Sequence, residues 1–463
     1  MNSNIDWIKY GAGMVHLKNG NKKEAEEIFT SLIAECLSFA YPYEQLGYLR
    51  IKDGKTNQAH EWFSKAIERM PENEMGLYHR GLLQVELKRF EDAANSFLRV
   101  LEMNLLHTEA MVELALVYGR KDDFKKATSL IRDVYQKNKT KKDCFARLGW
   151  LRGENRDWEG AFEIVNRDYN EDRISPAWQM NLAQLVGRLG DWDSATDMIK
   201  QSYEIQPNLK DGYARLGWIK LEVRQRCAAK ELFEKDRRSG RLSPAWVINL
   251  ALLYGLLKDF MTASDLIMQA YQADKTIMDG FSRLGWIGYL VGKGVAFFHE
   301  QIKKDEALNR QSTRSPFYHA LHIVAAGSKA DNFNDIETIY NEMPGKKNFL
   351  AAIGWLCLRL GKTERGVELM ARNQDLGNMD PTWLPSYAAA LGICGRTEQA
   401  LNILEQTYTG ESDDEVFSIG YIICPDAVLS ATQLRQLISR GMTHKDIFNN
   451  KNARISLDAE RSR

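Results

Sequence analysis

The stretch ARLGW occupies residues 146–150 and again residues 214–218, and SRLGW follows at residues 282–286. Successive copies are 68 residues apart, and a shorter echo, AIGW, lies at residues 352–355. Half of that distance, 34 residues, is the underlying period. Steps of 34 residues from Ala25 reach seven further alanines without an insertion: Ala59, Ala93, Ala127, Ala161, Ala195, Ala229 and Ala263. A fixed period of this length is the sequence signature of a repeat array.

Each 34-residue repeat reads as two helices, because apolar residues recur at intervals of three and four. A small residue lies twelve positions before each alanine, at Gly13, Gly47, Gly81, Ala115, Gly149, Ala183, Gly217 and Ala251. A bulky apolar residue lies four positions after it, at Phe29, Phe63, Phe97, Ile131, Val165, Ile199, Phe233 and Ile267. Small side chains let two helices approach closely, so these positions predict the contact between the helices of one repeat.

Turn and start signals separate the predicted helices. A glycine in the connection of six repeats predicts the left-handed residue that ends a helix: Gly20, Gly54, Gly190, Gly292, Gly361 and Gly395. A capping residue followed by proline predicts a helix start at Ser175-Pro176, Ser243-Pro244, Ser315-Pro316 and Asp380-Pro381. The sequence therefore predicts helix, short turn, helix, repeated along the chain.

This pattern resembles the tetratricopeptide repeat family, which has glycine or alanine, then alanine, then an aromatic residue at these positions. The resemblance covers residues 6–410, or about twelve repeats. It implies an all-α, right-handed superhelical solenoid of helix-turn-helix repeats, closed by a capping helix in the stretch ATQLRQLISRGM, residues 431–442. The 35-residue period of pentatricopeptide repeats fits less well.

The regularity of the register divides the chain into four expected segments. Residues 6–277 hold eight repeats in register, and residues 278–345 hold irregular ones, since Phe297 replaces the alanine and residues are inserted before Ser315. Residues 346–410 hold two further repeats, and residues 411–463 form the cap and a polar tail.

Composition narrows the functional classes. The 62 basic residues balance 62 acidic ones, which disfavours nucleic acid as a partner, and no apolar run is long enough to span a membrane. The six cysteines lack a CxxC spacing and lie mostly in apolar helical patterns, and no signal peptide is evident at the start. These features predict a cytoplasmic protein.

Candidate binding residues lie at the positions that face the concave groove in the resembled family. Position 6 of the repeat alternates between a basic and an amide residue from one repeat to the next. In alternate repeats, position 9 is tryptophan and position 2 is aspartate. The set comprises Asp143, Arg147, Trp150, Asn181, Asp211, Arg215, Trp218, Asn249, Asp279, Arg283, Trp286 and Trp355.

Two interpretations of this set remain open. In one, the tryptophans pack between neighbouring first helices and each aspartate pairs with the arginine four residues later, at Asp143–Arg147 for example. In the other, the set binds an extended ligand, since tryptophan and arginine dominate binding hot spots. The carboxylate clamp of some tetratricopeptide domains fits poorly, because Asp211 stands where that clamp has a lysine.

The sequence lacks a phosphate-binding loop and the motifs GxSxG and HExxH, so we expect neither an enzyme nor a cofactor. His319 and His322 could in principle hold a metal, but packing is the more common role of such histidines, and no metal is expected. The expected function is a scaffold or adaptor that binds a partner protein in its groove. The alternative is an accessory protein of bacterial surface-polysaccharide or glycoconjugate biosynthesis or export, contacting glycan or a glycosyltransferase.

Overall fold

The computed structural model describes residues 4–313, 315–326, 333–342, 347–407, 416–421 and 424–448. These residues form helices almost throughout, as the repeat pattern predicts. They divide into two compact bodies: residues 1–154 with 160–175 form the first body, and residues 155–159 with 176–463 form the second.

The helices through residue 170 are α1 (Asn4–Lys18), α2 (Lys22–Glu35), α3 (Tyr41–Lys52), α4 (Thr56–Arg69), α5 (Glu74–Glu86), α6 (Phe90–Met103), α7 (Thr108–Arg120), α8 (Phe124–Lys137), α9 (Cys144–Glu154) and α10 (Trp158–Asn170). Those from residue 176 to residue 325 are α11 (Pro176–Arg188), α12 (Trp192–Ile205), α13 (Gly212–Glu222), α14 (Arg226–Arg238), α15 (Pro244–Leu256), α16 (Phe260–Ala273), α17 (Gly280–Leu290), α18 (Gly294–Ala307) and α19 (Ser315–Ala325). The remaining elements are α20 (Phe333–Glu342), α21 (Phe349–Arg359), α22 (Thr363–Asp375), a 3₁₀ helix (Pro381–Trp383), α23 (Leu384–Ile393), α24 (Thr397–Thr407), β1 (Val416–Tyr421), β2 (Cys424–Ser430), α25 (Ala431–Ser439) and α26 (His444–Phe448).

Odd-numbered first helices pack against the even-numbered second helices that follow them, as in α5 with α6 and α13 with α14. First helices of successive repeats also pack on one another: α5 on α7 in the first body, and α11 on α13, α15 on α17 and α19 on α21 in the second. Several second helices also pack on the next first helix, such as α6 on α7 and α14 on α15. First helices of successive repeats are thus in contact in both bodies, and we call their shared surface in each body the inner face.

In eleven repeats the turn between the two helices is closed by one residue in the left-handed conformation. The six predicted glycines all have φ between +68° and +98°. Five other repeats place Lys88, Asp122, Arg156, Arg224 or Lys258 at the equivalent position, with φ between +59° and +67°. The turn geometry is thus the same with and without glycine, although a side chain with a Cβ is strained there.

Prolines begin α11 and α15, as predicted, but the serine before α15 does not cap with its hydroxyl. The Ser243 side chain makes no capping hydrogen bond. Its backbone N–H donates instead to Asp211 Oδ1, at 2.7 Å. The predicted capping role does hold at Asp380, whose side chain accepts from the Thr382 N–H at 3.1 Å.

The close contact inside a repeat pairs a glycine on the first helix with a phenylalanine on the second. A Cβ added to Gly81 would lie 2.6 Å from Phe97 Cε1, and one added to Gly47 would lie 2.7 Å from Phe63 Cε2. Where the first helix carries alanine instead, the second carries isoleucine, as at Ala115 and Ile131, both 0% exposed. The two positions vary together because they share one fixed volume.

The C-terminal segment contains a two-stranded antiparallel hairpin, in which Val416 pairs with Ser430 and Phe417 with Leu429. The sequence pattern did not predict it. The predicted capping helix is confirmed as α25, which begins with a capping box between Ser430 and Gln433 and packs against α23 and α24.

Two expectations concern solvent and membrane exposure. Within the described ranges no helix is long and apolar enough to cross a bilayer. Among the cysteines that the structure describes, Cys144 and Cys357 are buried, whereas Cys227 on α14 is exposed, so the apolar helical patterns around the cysteines do not bury all of them.

We expect Gly81→Ala to lower the free energy of unfolding by about 1–3 kcal/mol, because its Cβ would overlap Phe97. Adding Phe97→Ile recreates the pairing of Ala115 with Ile131, so the double variant should be more stable than the sum of the two single changes. Urea unfolding of all four proteins measures this coupling. Strict additivity would contradict it.

Lys258→Gly should raise the free energy of unfolding by up to about 1 kcal/mol, because Lys258 is exposed and holds a φ of +67° that glycine adopts without strain. The matched control is Gly190→Ala at the equivalent turn. This change should lower the free energy of unfolding. Thermal unfolding of the pair tests the sign, and a loss of stability in Lys258→Gly would contradict the strain.

Candidate functional site

The predicted arginines and asparagines form hydrogen-bonded pairs between successive first helices. In the second body, Arg215 Nη1 on α13 donates to Asn181 Oδ1 on α11 at 2.9 Å. One repeat pair later, Arg283 Nη2 on α17 donates to Asn249 Oδ1 on α15 at 3.0 Å. These four residues are half-buried on the inner face. We call them the Arg–Asn ladder.

The first body repeats the arrangement with a carboxylate. Arg147 Nη2 on α9 donates to Glu113 Oε1 on α7 at 2.7 Å, and 37% of the Arg147 side chain remains exposed. The i,i+4 interpretation, in which Asp143 would pair with Arg147, is wrong: the arginine reaches across to the preceding first helix because the aspartate is held elsewhere.

The predicted aspartates bind backbone rather than arginine. Asp143, Asp211 and Asp279 precede α9, α13 and α17 with φ of +63°, +65° and +57°. Asp143 Oδ1 accepts from the Ser175 N–H at 2.6 Å, and Asp211 Oδ1 accepts from the Ser243 N–H at 2.7 Å. Each aspartate therefore ties the start of its own first helix to the start of the next repeat.

The same contact recurs further along the second body. Asp279 accepts from the Ser312 N–H at 3.2 Å and from the hydroxyl of Ser315. Asn348 takes the role before α21 and accepts from the Asp380 N–H at 2.7 Å. Since an amide serves as well as a carboxylate, the contact depends on the acceptor oxygen and not on charge.

The four predicted tryptophans are not equivalent. Trp150 and Trp218 are half-buried, and Trp218 meets Trp246 edge to face with ring centroids 6.2 Å apart. Trp286 and Trp355 are each only 4% exposed. Trp286 is stacked on Tyr289 at 5.6 Å, and Trp355 is covered by the C-terminal segment, through Asp426 and Phe448.

A buried tyrosine–aspartate contact, absent from the sequence-based candidates, repeats every 68 or 69 residues. Tyrosine on a second helix donates to an aspartate on the next second helix, in the pairs Tyr135–Asp168, Tyr203–Asp236 and Tyr271–Asp305. We call these pairs the Tyr–Asp bridges. The three aspartates are 0% exposed. The constant 68-residue spacing of the three tyrosines is the signal that a search of the second helices could have found.

Each bridge also satisfies the N-terminus of the intervening first helix. The Gly212 N–H donates to the Tyr203 hydroxyl at 2.7 Å, and the Ala214 N–H donates to Asp236 Oδ2 at 2.8 Å. The Arg241 guanidinium lies over the Tyr203 ring, 4.5 Å from its centroid. Three helices are joined at one buried point, and the backbone donors at the helix start are all bonded.

Burial sets the ionisation of these groups. It raises the pKa of Asp168 and that of Asp236 to about 6, against the opposing effect of the tyrosine and backbone donors. It also raises the pKa of Tyr135 and of Tyr203, and the neighbouring carboxylate adds to that rise. Burial and the neighbouring groups account for the raised pKa values of the aspartates and of the tyrosines. We therefore assign the bridges no catalytic role.

The histidines of α19 do not form a metal centre with the described residues. His322 faces His299 with ring centroids 5.1 Å apart, and His319 Nε2 lies 3.6 Å from Glu306. Burial lowers the pKa of both α19 histidines. Over the described part of the chain, no cluster of three or more potential ligands could hold a metal ion.

Comparison with known proteins confirms the repeat type. The tetratricopeptide repeat family profile matches residues 78–140, which run from α5 to the turn that follows α8. No curated protein sequence matches the chain. Residues 78–140 therefore match the repeat type that the 34-residue period predicted.

Solved structures with similar backbones include a tetratricopeptide repeat protein from Parabacteroides merdae, 20% identical, covering 56% of this chain and 100% of its own, with a TM-score of 0.41. Yeast Tom70 is 13% identical and covers 87% of this chain and 95% of its own, with a TM-score of 0.39. PilF of Pseudomonas aeruginosa is 18% identical and covers 44% and 92%, with a TM-score of 0.34.

The raised pKa values of Asp168 and Asp236 predict an unusual pH dependence. Below about pH 4 both carboxyls are protonated in the folded and unfolded states. Between about pH 4 and 6 only the unfolded state loses the protons, so stability falls as pH rises, by on the order of 2 kcal/mol per carboxyl. Replacing both residues with asparagine should remove this fall.

Urea unfolding of the wild type and of the Asp168→Asn/Asp236→Asn variant at pH 4.5 and pH 7 measures the difference. Asparagine is a suitable replacement because Asn373, 0% exposed, holds the equivalent place and accepts from the Leu350 N–H at 3.2 Å. Asp191→Asn is the control with the opposite sign, since hydrogen bonds to Ser194 lower the pKa of Asp191. Parallel pH profiles for the wild type and the double variant would refute the assignment.

Proposed function

We propose that this tetratricopeptide-repeat chain is a non-catalytic scaffold that binds an extended segment of a partner protein along the inner face of its second body. The observation that carries the proposal is the Arg–Asn ladder, in which Asn181 and Arg215, then Asn249 and Arg283, present the same pair of groups at two levels. A repeated site suits a ligand that is itself repetitive, and a polypeptide backbone is one.

The chemistry of the ladder matches a peptide backbone. An asparagine side chain offers both donor and acceptor atoms, as a peptide group does, and an arginine offers five N–H donors, of which the contact with asparagine uses few. The half-buried Trp218 adds an aromatic surface on α13 between the two levels. Arginine and tryptophan are the residue types most enriched in binding hot spots.

The first body presents a variant of the same face, with Arg147 and Trp150 half-buried on α9. Here Glu113 replaces asparagine as the acceptor for arginine, so this level is more acidic. We propose that it contributes to partner choice by charge. Asp143, Asp211 and Asp279 contribute indirectly, because their contacts with backbone N–H groups hold the first helices in position.

A glycan ligand finds less support. It would need a series of exposed aromatic faces, and two of the four tryptophans, Trp286 and Trp355, are 4% exposed. The proposal is therefore restricted to a protein partner.

Charge reversal of the ladder, Arg215→Glu with Arg283→Glu, should reduce capture of the partner at least tenfold, because it replaces donors with carboxylates on the inner face. The measurement is the amount of each protein retained from a lysate of the source organism by the immobilised chain. A second lysate, digested with protease before capture, separates a protein partner from any other ligand.

The matched control is Lys200→Glu with Lys275→Glu, which makes the same change in net charge at exposed positions. Retention that is equal for the ladder variant and the control would overturn the proposed face. Retention that survives proteolysis would overturn the assignment of a protein partner.

A further inference from the structure

The C-terminal hairpin lies against the inner face of the second body. Phe417 on β1 is 0% exposed, and the guanidinium of Arg156 lies over its ring, 4.9 Å from the centroid. Arg156 closes the turn after α9, and residues 155–159 cluster with the second body. The hairpin thus contacts a residue of the second body that lies about 260 positions earlier in the chain.

A carboxylate on β2 occupies a pocket of donors and cations. Asp426 Oδ2 accepts from Trp355 Nε1 at 2.7 Å, and Asp426 Oδ1 lies 3.6 Å from Arg359 Nη1. Only 11% of the Asp426 side chain is exposed. Trp355 and Arg359 both belong to α21, and Trp355 is one of the residues predicted from the sequence to face the groove.

The pocket extends beyond α21. Arg359 Nη2 also donates to the carbonyl of Leu290, at 3.2 Å, which fixes it against the end of α17. Arg224, which closes the turn after α13, and His444 on α26 act on Asp426 electrostatically. Burial raises the pKa of Asp426, and Arg359, Trp355, Arg224 and His444 oppose that rise in this order.

This arrangement of cations and donors is unfavourable in free energy unless a carboxylate is present. Two half-buried arginines near one indole N–H repel one another when no carboxylate lies beside them, and a buried carboxylate without partners would also be unfavourable. The pocket and Asp426 therefore stabilise each other. The part that supplies Asp426 is a two-stranded hairpin, and such hairpins are marginally stable when they stand alone.

We propose that the paired strands β1 and β2 are an internal occupant of the inner face, and that an acidic, extended segment of the partner displaces them and places a carboxylate between Arg224, Trp355 and Arg359. This inference rests on the proposed function and names the chemical class of its partner. It also makes binding competitive, because a tethered occupant has a high effective concentration that the partner must exceed.

The test uses the full chain and a fluorescent peptide that copies residues 416–430 with Cys424→Ser. In the wild type the tethered hairpin should block the peptide. Asp426→Arg should expel the hairpin by charge repulsion, so that the peptide binds at least tenfold more tightly than to the wild type. Asp375→Arg, which makes the same charge change at an exposed position on α22, is the matched control and should resemble the wild type.

Two further arms establish which groups are responsible. A peptide that also carries Asp426→Asn should bind the Asp426→Arg chain at least fivefold more weakly than the first peptide. Adding Arg359→Glu to that chain should abolish the gain. Hydrogen exchange of the hairpin amides gives a readout without any peptide: exchange should accelerate in Asp426→Arg, and also in Trp355→Phe, which removes the N–H donor and keeps a ring.

Equal peptide affinity for the wild type and Asp426→Arg would overturn the inference, as would unchanged exchange of the hairpin amides in both Asp426→Arg and Trp355→Phe. This outcome does not depend on the capture experiment above, because that experiment measures retention of a partner protein from a lysate and tests Arg215 and Arg283. A failed ladder with a displaceable hairpin would remove the proposed binding face and leave the hairpin as an internal occupant, whereas a functional ladder with a fixed hairpin would remove this inference alone.

Discussion

The buried carboxylate near the end of alternate second helices is the constraint on which the repeat pairs depend. Asp168, Asp236 and Asp305 are wholly buried, and each is stable there only because a tyrosine hydroxyl and the first backbone N–H groups of a neighbouring helix donate to it. Removing any of these donors would leave a desolvated charge. The position of three helices is therefore fixed at one point, and the contact recurs in three successive pairs of repeats.

This constraint explains the five-letter motif ARLGW. The N–H of Ala146 donates to the buried carboxylate, and Arg147 pairs with the preceding first helix. Leu148 fills the space beside Gly119, and Gly149 leaves room for the second helix of its own repeat. Trp150 lies half-buried on the inner face. Three of the five positions thus serve packing or backbone hydrogen bonds, and Arg147 joins two first helices through its side chain, so the motif persists largely for structural reasons.

The inner face combines two kinds of polar site. The Arg–Asn ladder repeats along the first helices and leaves donors for a partner, whereas the pocket around Asp426 is already occupied by the chain itself. The difference follows from the end of the array: a repeat stack leaves an apolar surface at its last repeat, and α25 covers it. The hairpin that precedes α25 is thereby held against the inner face, where the cations at the helix ends lie.

The sequence by itself determined the repeat length, the paired helices and the left-handed turn glycines. It also determined the contact between a small residue on the first helix and a bulky apolar residue on the second. Each of these features depends on local geometry that is repeated every 34 residues. The sequence also identified the arginines and asparagines of the ladder. Only the tertiary structure decided that Asp143 binds the Ser175 N–H rather than Arg147, that Tyr203 and Asp236 meet, and that Asp426 covers Trp355. These contacts join residues 32, 33 and 71 positions apart. Side-chain partners at such separations are set by how helices stack, which no local pattern of residue types encodes.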